Sequence, residues 1–370
     1  SLDSFTGNTV NVSVLESFSN ATLDASGVQN SNANVNFDAS EDVTGADFLI
    51  SNGNDTFTGS DNADNVVFTD DIFLSDSDSL DAGDDDDDTL TFDAPGVDED
   101  FSISAGQVDG VTNFEVLSFT DAGSDGTTIE ATLSGTFVSN NLGTDGKLEV
   151  NAGTLTNDDV DIDASAAPGS GILDFTGSAQ DDTFVGGAGD DEIFGGNGND
   201  TLTGGSGDDV FDFDNATEFG DVIKDFGAGD DGSGPDPVDQ IDLSDFGLTF
   251  DAAPTASPFD ADNTLRQSGT GNPSSTDIHG NAFFVFSGQT FSDDTAFDNF
   301  FHGDTAADGT DEGSEAEAAL AVYFDTFGRA HVALDTDTAS NSNDTFTTIA
   351  TLENIDVNGV SDLDVSDFVV

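Results

Sequence analysis

The sequence contains no cysteine, no methionine and no tryptophan, and it has a single tyrosine. Without cysteine, the chain forms no disulfide, no thiolate metal site and no thiol nucleophile. Only 4 Lys and Arg residues stand against 77 Asp and Glu, so nucleic acid and anionic membranes are poor partners. No stretch approaches the ~20 apolar residues of a membrane-spanning helix. Because methionine is absent, we expect that Ser1 is not the first translated residue, and the residues after it lack the features of a secretory signal peptide.

The chain is instead rich in acidic residues and phenylalanine. The formal net charge of −73 opposes compact folding at low salt and taken alone would suggest disorder. However, 35% of the residues are hydrophobic and 33 are Phe, which indicates a real core. The two observations agree if a divalent cation neutralises the acids as the core forms, so we expect folding to be coupled to calcium. A saline habitat also favours acidic composition and is an additional explanation.

The strongest pattern lies between Gly186 and Asp212, where three nine-residue units follow one another and each fits G-G-x-G-x-D-x-U-x, with U a large apolar residue. This nonapeptide is typical of the calcium-binding parallel β-roll. Glycine allows the sharp turn, and carbonyls together with Asp supply the six to eight hard oxygens that calcium prefers. The last three residues form a short strand whose middle side chain points inward. A flexible Gly/Asp linker is the alternative, but it does not explain the regular apolar position.

Two units make one coil, so turns that lie two units apart are expected to stack. Asp191 and Asp209 should therefore share one edge, with Asp200 on the other. The preceding segment 177–185 is a degenerate unit whose Asp182 would stack with Asp200. The inward side chains are Phe184, Ile193, Leu202 and Phe211, and the glycines that supply carbonyls and room are Gly187, Gly189, Gly196, Gly198, Gly205 and Gly207.

Weaker copies of the motif occur upstream. Residues 52–67 keep Gly53, Asp55 and Asp64 at the corresponding positions, and we predict calcium binding there. Asp88 precedes a Thr-Leu-Thr strand pattern in the same way, although the acidic run 84–88 also fits a solvated loop.

Most other segments alternate apolar and polar residues between Gly, Asn and Asp turns, which predicts short strands. This holds for residues 1–50 and for 101–175. Residues 281–288 are predicted to form a strongly apolar strand, and 329–337 and 343–357 are predicted to form closing strands. One helix is predicted, at 315–324 with Ser314 as its cap, and a strand beginning at Val322 is the alternative. The inward side chains expected in 101–175 are Ile103, Val111, Phe114, Val116, Leu117, Phe119, Ile129, Leu133, Phe137, Leu148, Val150, Ile162, Ile172, Leu173 and Phe175.

Residues 304–315, just before this helix, match an EF-hand calcium loop in part. Asp304, Asp308, Gly309 and Glu315 stand at ligand or turn positions, but Ala306 occupies the third. An acidic loop that leads into the helix is the other interpretation.

Taken together, these patterns predict an all-β fold, with a calcium-binding parallel β-roll or β-solenoid flanked by further β-rich segments and little helix. We divide the chain into four regions. These are an N-terminal strand segment at 1–50, a region of degenerate units at 51–175, the β-roll at 176–213 and a C-terminal β domain at 214–370.

The roll units resemble those of RTX proteins, which Gram-negative bacteria export by type I secretion. The segment GDVIKDFGAGDD…DQIDLSDF, within 220–246, is similar to the one that follows the β-roll in serralysin-type C-terminal domains. That likeness implies that Asp225 caps the last calcium site. The terminal residues 367–370, DFVV, resemble the uncleaved type I export signal.

Upstream, the order NDTFTGSDNAD, DTLTF and GVTNFEVLSF resembles RTX-bearing S-layer proteins. These resemblances imply several calcium ions, secretion to the surface of a Gram-negative bacterium, and the type I machinery and copies of the chain itself as partners. Lipopolysaccharide is a further partner of larger S-layer proteins, which bind it through a separate domain that no segment here matches.

Catalytic motifs are hard to find. His279, His302 and His331 are scattered and do not form the H-E-x-x-H zinc motif of serralysin proteases. Residues 204–208 lack the final glycine of a nucleophile elbow. So acidic a chain is compatible with the two carboxylates of a glycosidase, but it has no Trp and only Tyr323 among the usual sugar-stacking residues.

We therefore expect a structural protein rather than an enzyme, namely a self-assembling S-layer subunit or extracellular filament. Calcium would fold each protomer and bridge acidic faces between protomers. The alternative is the calcium-binding secretion module of a larger adhesin or secreted enzyme, and an open reading frame that extends upstream of Ser1 would support it.

Overall fold

The computed structural model describes residues 9–14, 21–25, 34–42, 45–51, 53–68, 74–75, 77–84, 87–94, 101–121, 126–227, 238–246, 265–266, 282–301, 319–335, 346–355, 363 and 367–369. The chain divides into two compact units, which we call the first unit (residues 1–197 and 204–209) and the second unit (198–203 and 210–370).

The elements of the first unit are mostly strands of three to six residues. They are β1 Thr9–Ser13, β2 Ala21–Asp24, β3 Asn34–Asp38, β4 Ala46–Leu49, β5 Thr56–Thr58, β6 Asn65–Phe68, β7 Ser79–Asp81, β8 Thr89–Ala94, β9 Phe101–Ile103, α1 Ala105–Val108, β10 Val111–Thr112, β11 Val116–Asp121, β12 Thr128–Thr132, α2 Gly135–Asn140, β13 Lys147–Asn151, β14 Asp159–Asp163, β15 Ile172–Thr176, β16 Thr183–Val185 and β17 Glu192–Phe194.

All strand pairs in the first unit are parallel, as in a solenoid. The strand orders are β1-β3-β5-β7-β10, β2-β4-β6-β8-β11-β13-β15-β17 and β9-β12-β14-β16. Inward apolar side chains alternate along the strands with outward side chains, most of which are polar, and β5 shows the pattern in simple form, with Phe57 buried between two exposed threonines. The predicted all-β parallel β-roll or solenoid is thereby confirmed.

Inward side chains of successive coils stack in columns because the strands pair in register. The ring centroids of Phe68 and Phe92 lie 5.2 Å apart, and those of Phe92 and Phe119 lie 5.7 Å apart. The rings of Phe175 and Phe184, on opposite sides of the core, are stacked at 4.4 Å. Burying each such side chain contributes roughly 1.5–3 kcal/mol, so these columns are a main source of stability.

The coils differ in length along the first unit. Turn hydrogen bonds join residues 18 positions apart in the roll, from Leu173 to Asp191. The equivalent separation is 23 between Asp55 and Asp78 and 27 between Phe114 and Asn141. Helices α1 and α2 occupy the additional length in the middle coils. The separation of 18 residues recurs upstream, where the N–H of Ala46 donates to Oδ1 of Asp64, but it is not kept along the whole first unit.

The second unit combines parallel and antiparallel strands. Its elements are β18 Thr201–Thr203, β19 Val210–Asp212, β20 Asp221–Ile223, β21 Gln240–Asp242, β22 Leu265–Arg266, β23 Ala282–Phe291, α3 Asp294–Phe301, β24 Ala319–Asp325, β25 Ala330–Asp335, β26 Phe346–Leu352 and β27 Phe368–Val369, with short 3-10 helices at Ala216–Glu218 and Ser244–Phe246.

One sheet of the second unit has the order β22-β23-β24-β25-β26-β20-β18, and a second has the order β19-β21-β27. Strand β25 pairs antiparallel with both β24 and β26. Helix α3 packs on the larger sheet, where the ring of Phe297 stacks on that of Tyr323 at 4.5 Å.

Most of the predicted elements are found, with three corrections. The predicted helix 315–324 is wrong over its described part, because residues 319–325 form β24. Helix propensity there is overridden by pairing with β23 and β25. Phe137 is buried as expected, but it lies in helix α2 rather than in a strand. Val116 and Ile172, predicted to point inward, lie at half-exposed positions on outward faces.

The other inward side chains predicted in 101–175 are buried, which confirms that pattern. The EF-hand match at 304–315 lies outside the described residues.

Candidate metal-binding turns

The predicted aspartates are almost completely buried. Asp55, Asp88, Asp191 and Asp200 are 0% exposed, and Asp64, Asp182 and Asp209 are no more than 2% exposed. Burying an ionised carboxylate is costly unless hydrogen bonds and a positive charge compensate. These side chains must therefore be stabilised by the turns that surround them.

Backbone amides of the preceding coil provide part of that stabilisation. The N–H of Asp191 donates to Oδ1 of Asp209 at 2.8 Å, and the N–H of Leu173 donates to Oδ1 of Asp191 at 2.9 Å. Asp191 and Asp209 thus lie on the same edge, in stacked turns, as the two-unit coil predicts.

Asp200 lies in the second unit, where its N–H donates to Oδ1 of Asp221 at 2.9 Å. The expected stacking of Asp182 on Asp200 joins residues of the two units and stays a prediction.

In several of these turns the second carboxylate oxygen accepts a hydrogen bond from within its own turn. Oδ2 of Asp191 accepts the N–H of Gly187 at 3.0 Å, and Oδ2 of Asp64 accepts the N–H of Ser60 at 2.6 Å. These two carboxylates are therefore held between their own turn and the previous coil. We call the carboxylates of the first unit that accept an N–H of the previous coil the carboxylate ladder; its members are Asp55, Asp64, Asp78, Asp88, Asp158, Asp182, Asp191 and Asp209.

Glycine is required where backbone oxygens crowd the turn. A Cβ at Gly186 would lie 2.2 Å from the carbonyl oxygen of Gly204 and 2.5 Å from Oδ2 of Asp191. A Cβ at Gly189 would lie 2.0 Å from the carbonyl oxygen of Gly171. Gly207 has a φ of 140°, which L side chains rarely adopt. The turns thus present carbonyl and carboxylate oxygens to a space that no side chain can enter, which fits a hard cation such as calcium.

The donor set is mixed. Within the described ranges, no three His, Asp or Glu side chains are grouped so that they could hold a metal ion. A cation in these turns would depend on backbone carbonyls in addition to the aspartates, as the glycine-rich pattern indicates.

Electrostatics favours a positive charge at the ladder. Burial raises the pKa of Asp182 and Asp191 to about 6, and a neighbouring Asp159 or Asp190 acts in the same direction. Burial also raises the pKa of Asp55 and Asp64. The charged form of these groups is therefore destabilised in the folded chain, and a bound divalent cation would restore it.

The remaining predicted residues lie at different places. Gly53 is buried in the turn before Asp55, and Asp225 is half-buried after β20. In the second unit Asp221 and Asp239 are also buried, and Oδ2 of Asp239 accepts the N–H of Gly227 at 2.6 Å.

Sequence reasoning missed several buried acids. Asp78 accepts the N–H of Asp55 at 2.7 Å, and Asp158 accepts that of Thr127 at 2.8 Å. Four of the missed acids stand two positions before an inward apolar residue, which is the spacing of the roll, so a search for Asp-x-apolar would have found them. These four are Asp78, Asp158, Asp221 and Asp239.

In the coil that contains helix α2, an uncharged side chain stands in place of the buried carboxylate. Asn141 is 0% exposed, and its Oδ1 accepts the N–H of Phe114 at 2.9 Å. Its Nδ2 donates to the carbonyls of Val111 and Phe137. An amide thus takes the structural place of a carboxylate where the chain has no roll motif.

Residues 176–211 match the family of RTX calcium-binding nonapeptide repeats, in four copies. The match covers the degenerate unit that contains Asp182 and the three units of the roll as far as Phe211. These repeats bind several calcium ions and indicate a secreted, extracellular protein of the RTX type. No curated protein sequence matches the chain. In the described part of the chain, no helix is long and apolar enough to cross a membrane.

Proposed function

We propose that this chain is a calcium-dependent structural protein that assembles with copies of itself outside the cell, as an S-layer subunit or an extracellular filament. The observation that carries the proposal is the extent of the buried acids. The carboxylate ladder begins at Asp55, far upstream of the four repeats, and the second unit continues the pattern at Asp221 and Asp239. An architecture based on such turns over most of its length is expected of a structural protein.

Calcium would be held at the roll by the carboxylates of Asp191, Asp200 and Asp209 and by carbonyls of the glycine-lined turns. The bound ion would supply the positive charge that stabilises the ionised carboxylates. Extracellular calcium sites bind at about 10⁻⁴ to 10⁻³ M. Such sites would be empty in the cytosol and filled outside, so type I export of an unfolded chain would be followed by folding. Asp182, Asp55, Asp64, Asp88 and Asp225 remain predicted ligands.

The outward faces support cation bridging between copies. On the face formed by β12 and β14, Glu130 lies directly opposite Asp161, and Thr132 lies opposite Asp163. Like charges in register on adjacent strands repel each other. Divalent cations between two such faces would relieve this repulsion and link protomers that otherwise repel at a net charge of −73.

A structural role for the second unit accords with the surroundings of His331. Its Nδ1 lies 3.3 Å from Oγ1 of Thr351, and its Nε2 lies 3.4 Å from Oδ2 of Asp325. This hydroxyl–imidazole–carboxylate series is reminiscent of a catalytic relay, but Thr351 is 8% exposed and paired on both sides. The imidazole also stacks on Tyr323 at 5.0 Å. We assign the series to packing of the sheet.

Negative-stain electron microscopy of the purified chain tests the proposal. Ordered sheets or fibres are expected in millimolar calcium, and none in chelator or in magnesium at the same ionic strength. Folded monomers that persist at high protein concentration in calcium would contradict it. They would favour a calcium-binding secretion module of a larger protein, which accords with the confinement of the four repeats to residues 176–211.

A further inference from the structure

The turns that hold a buried aspartate differ at the residue four positions before it. In the three units of the roll this residue is glycine, and we call these the glycine turns. In two other turns it is a serine whose hydroxyl contacts the carboxylate, and we call these the hydroxyl turns. The glycine turns are Gly187 with Asp191, Gly196 with Asp200 and Gly205 with Asp209, and the hydroxyl turns are Ser51 with Asp55 and Ser178 with Asp182.

The hydroxyl turn at Asp55 surrounds its carboxylate with hydrogen-bond donors. The hydroxyl of Ser51 lies 2.7 Å from Oδ2 and 3.0 Å from Oδ1. The N–H of Ser51 donates to Oδ2 at 3.0 Å, and the N–H of Val35, from the previous coil, donates to Oδ1 at 2.7 Å. Both oxygens are thus satisfied by the protein itself.

The hydroxyl turn at Asp182 repeats this arrangement. The hydroxyl of Ser178 donates to Oδ1 at 2.8 Å, and its N–H donates to Oδ2 at 2.5 Å. The N–H of Val160 completes the set at 2.7 Å from Oδ1. Ser60, at the same position before Asp64, donates its hydroxyl to the carbonyl of Asn62 at 3.3 Å, and its side-chain hydrogen bond with Asp64 opposes the rise that burial causes in the pKa of that carboxyl.

The glycine turns cannot acquire such a hydroxyl. Gly196 has a φ of 90° and Gly205 one of 109°, a backbone conformation that serine rarely adopts. A Cβ at Gly187 would lie 2.5 Å from the Cβ of Ala167. The carboxylate of Asp191 therefore has the N–H groups of Leu173 and Gly187 without a side-chain hydroxyl from its own turn.

We propose that the residue four positions before the buried aspartate determines whether a turn requires calcium. The hydroxyl turns keep their native geometry without the ion, because the serine hydroxyl adds a hydrogen bond to the carboxylate within the turn, which the glycine turns lack. The glycine turns close only when calcium binds. This inference rests on the proposed calcium-coupled folding and assigns it to particular turns. Strand β15 then offers β17 an edge that exists before calcium arrives, with Phe175 opposite Ile193.

Hydrogen exchange of the whole chain, followed by mass spectrometry in calcium and in excess chelator, tests the proposal. Removing calcium should change amide protection in peptides around 46–58 and 160–166 by less than about tenfold, and should lower it in peptides within 187–211 by about a hundredfold or more. Equal loss in both groups would overturn this inference and leave the proposed function intact. Full protection of 187–211 in chelator would overturn both.

Variants provide an independent test. Ser51→Ala should make the amide protection of the 46–58 peptides dependent on calcium or should abolish it. Ser40→Ala should leave their protection unchanged. Ser40 is the matched control because its hydroxyl donates to Asp38 at 2.7 Å in an exposed pair. Ser178→Ala should act in the same way on the 160–166 peptides, so a folding failure at one position leaves the other to decide. Wild-type protection in chelator for both variants would contradict the proposal.

Discussion

The buried carboxylates of the first unit and Asp325 of the second unit differ in how their charge is stabilised, and their pKa values shift in opposite directions. Burial raises the pKa of Asp191 to about 6, and its hydrogen bonds with Leu173 and Gly187 do not offset this. Asp325 is also buried, but hydrogen bonds from Arg329, His331 and Phe327 outweigh burial and lower its pKa to about 2. Its Oδ2 lies 2.7 Å from a guanidinium nitrogen of Arg329. A buried acid is thus stabilised either by a cation of the chain or, as we propose, by one from the medium.

The largest effect is expected where the cation comes from the medium. Asp200→Ala removes a buried carboxylate from a glycine turn and should raise the calcium midpoint of folding about tenfold to hundredfold, since losing such a group costs roughly 1–3 kcal/mol. Asp84→Ala changes an exposed acid and should leave the midpoint unchanged. Circular dichroism during calcium titration measures both, and equal shifts would contradict the assignment.

The pH dependence should change sign with calcium. In chelator, Asp78 and Asp182, which do not lie in glycine turns, have folded pKa values of about 6 against an ordinary value of 3.8, so the folded chain binds more protons between these values. Its stability should therefore increase as the pH falls from 7 towards 5. In saturating calcium, protons compete with the ion, and stability should decrease over the same range.

Urea unfolding at several pH values tests this reversal. Asp78→Asn, which cannot titrate, should reduce the slope of stability against pH in chelator. An unchanged slope would show that the increase in stability at lower pH comes from the other acids of the chain.

A smaller effect is expected at Asp325. Its lowered pKa means that it stabilises the folded state above pH ~4 and that this contribution is lost as the pH falls towards about 2. Asp325→Asn should cost roughly 0.5–1 kcal/mol, because the Arg329 side chain is 41% exposed and solvent screens the pair. Hydrogen exchange of residues 319–335 should report the same loss with and without calcium. A loss of amide protection that calcium reverses would contradict the contrast between Asp325 and Asp191.

The smallest effect is expected at Lys147, whose Nζ lies 2.5 Å from Oε2 of Glu192 on the outside of the first unit. The Lys147 side chain is 31% exposed and that of Glu192 is 52% exposed, so Lys147→Gln should cost under about 1 kcal/mol. The difference should disappear in about 1 M salt during thermal unfolding. Lys224→Gln, which removes the pair with Glu353 at 2.8 Å, is the matched variant in the second unit.

The roll was predictable because its nine-residue repeat determines coil, edge and inward side chain together. The repeat by itself is enough to place Asp191 and Asp209 in stacked turns. Asp78 and Asp158 were missed because coils of irregular length hide the same Asp-x-apolar spacing from a search for a period. Local propensity favours a helix at β24. The segment forms a strand because it pairs with β23 and β25, and such tertiary pairing is not contained in local propensity.

The hydrogen bonds that join one coil to the next through the carboxylate ladder all run in one direction. The N–H always belongs to the earlier coil and the carboxylate to the later one, as from Val35 to Asp55, from Asp55 to Asp78 and from Asp191 to Asp209. Interrupting the ladder at any coil would leave a bare amide on one side of the break and a bare carboxylate on the other. An amide end is complementary to a carboxylate end but not to another amide end. The ladder therefore has a direction, and it favours head-to-tail over head-to-head association of two such ends.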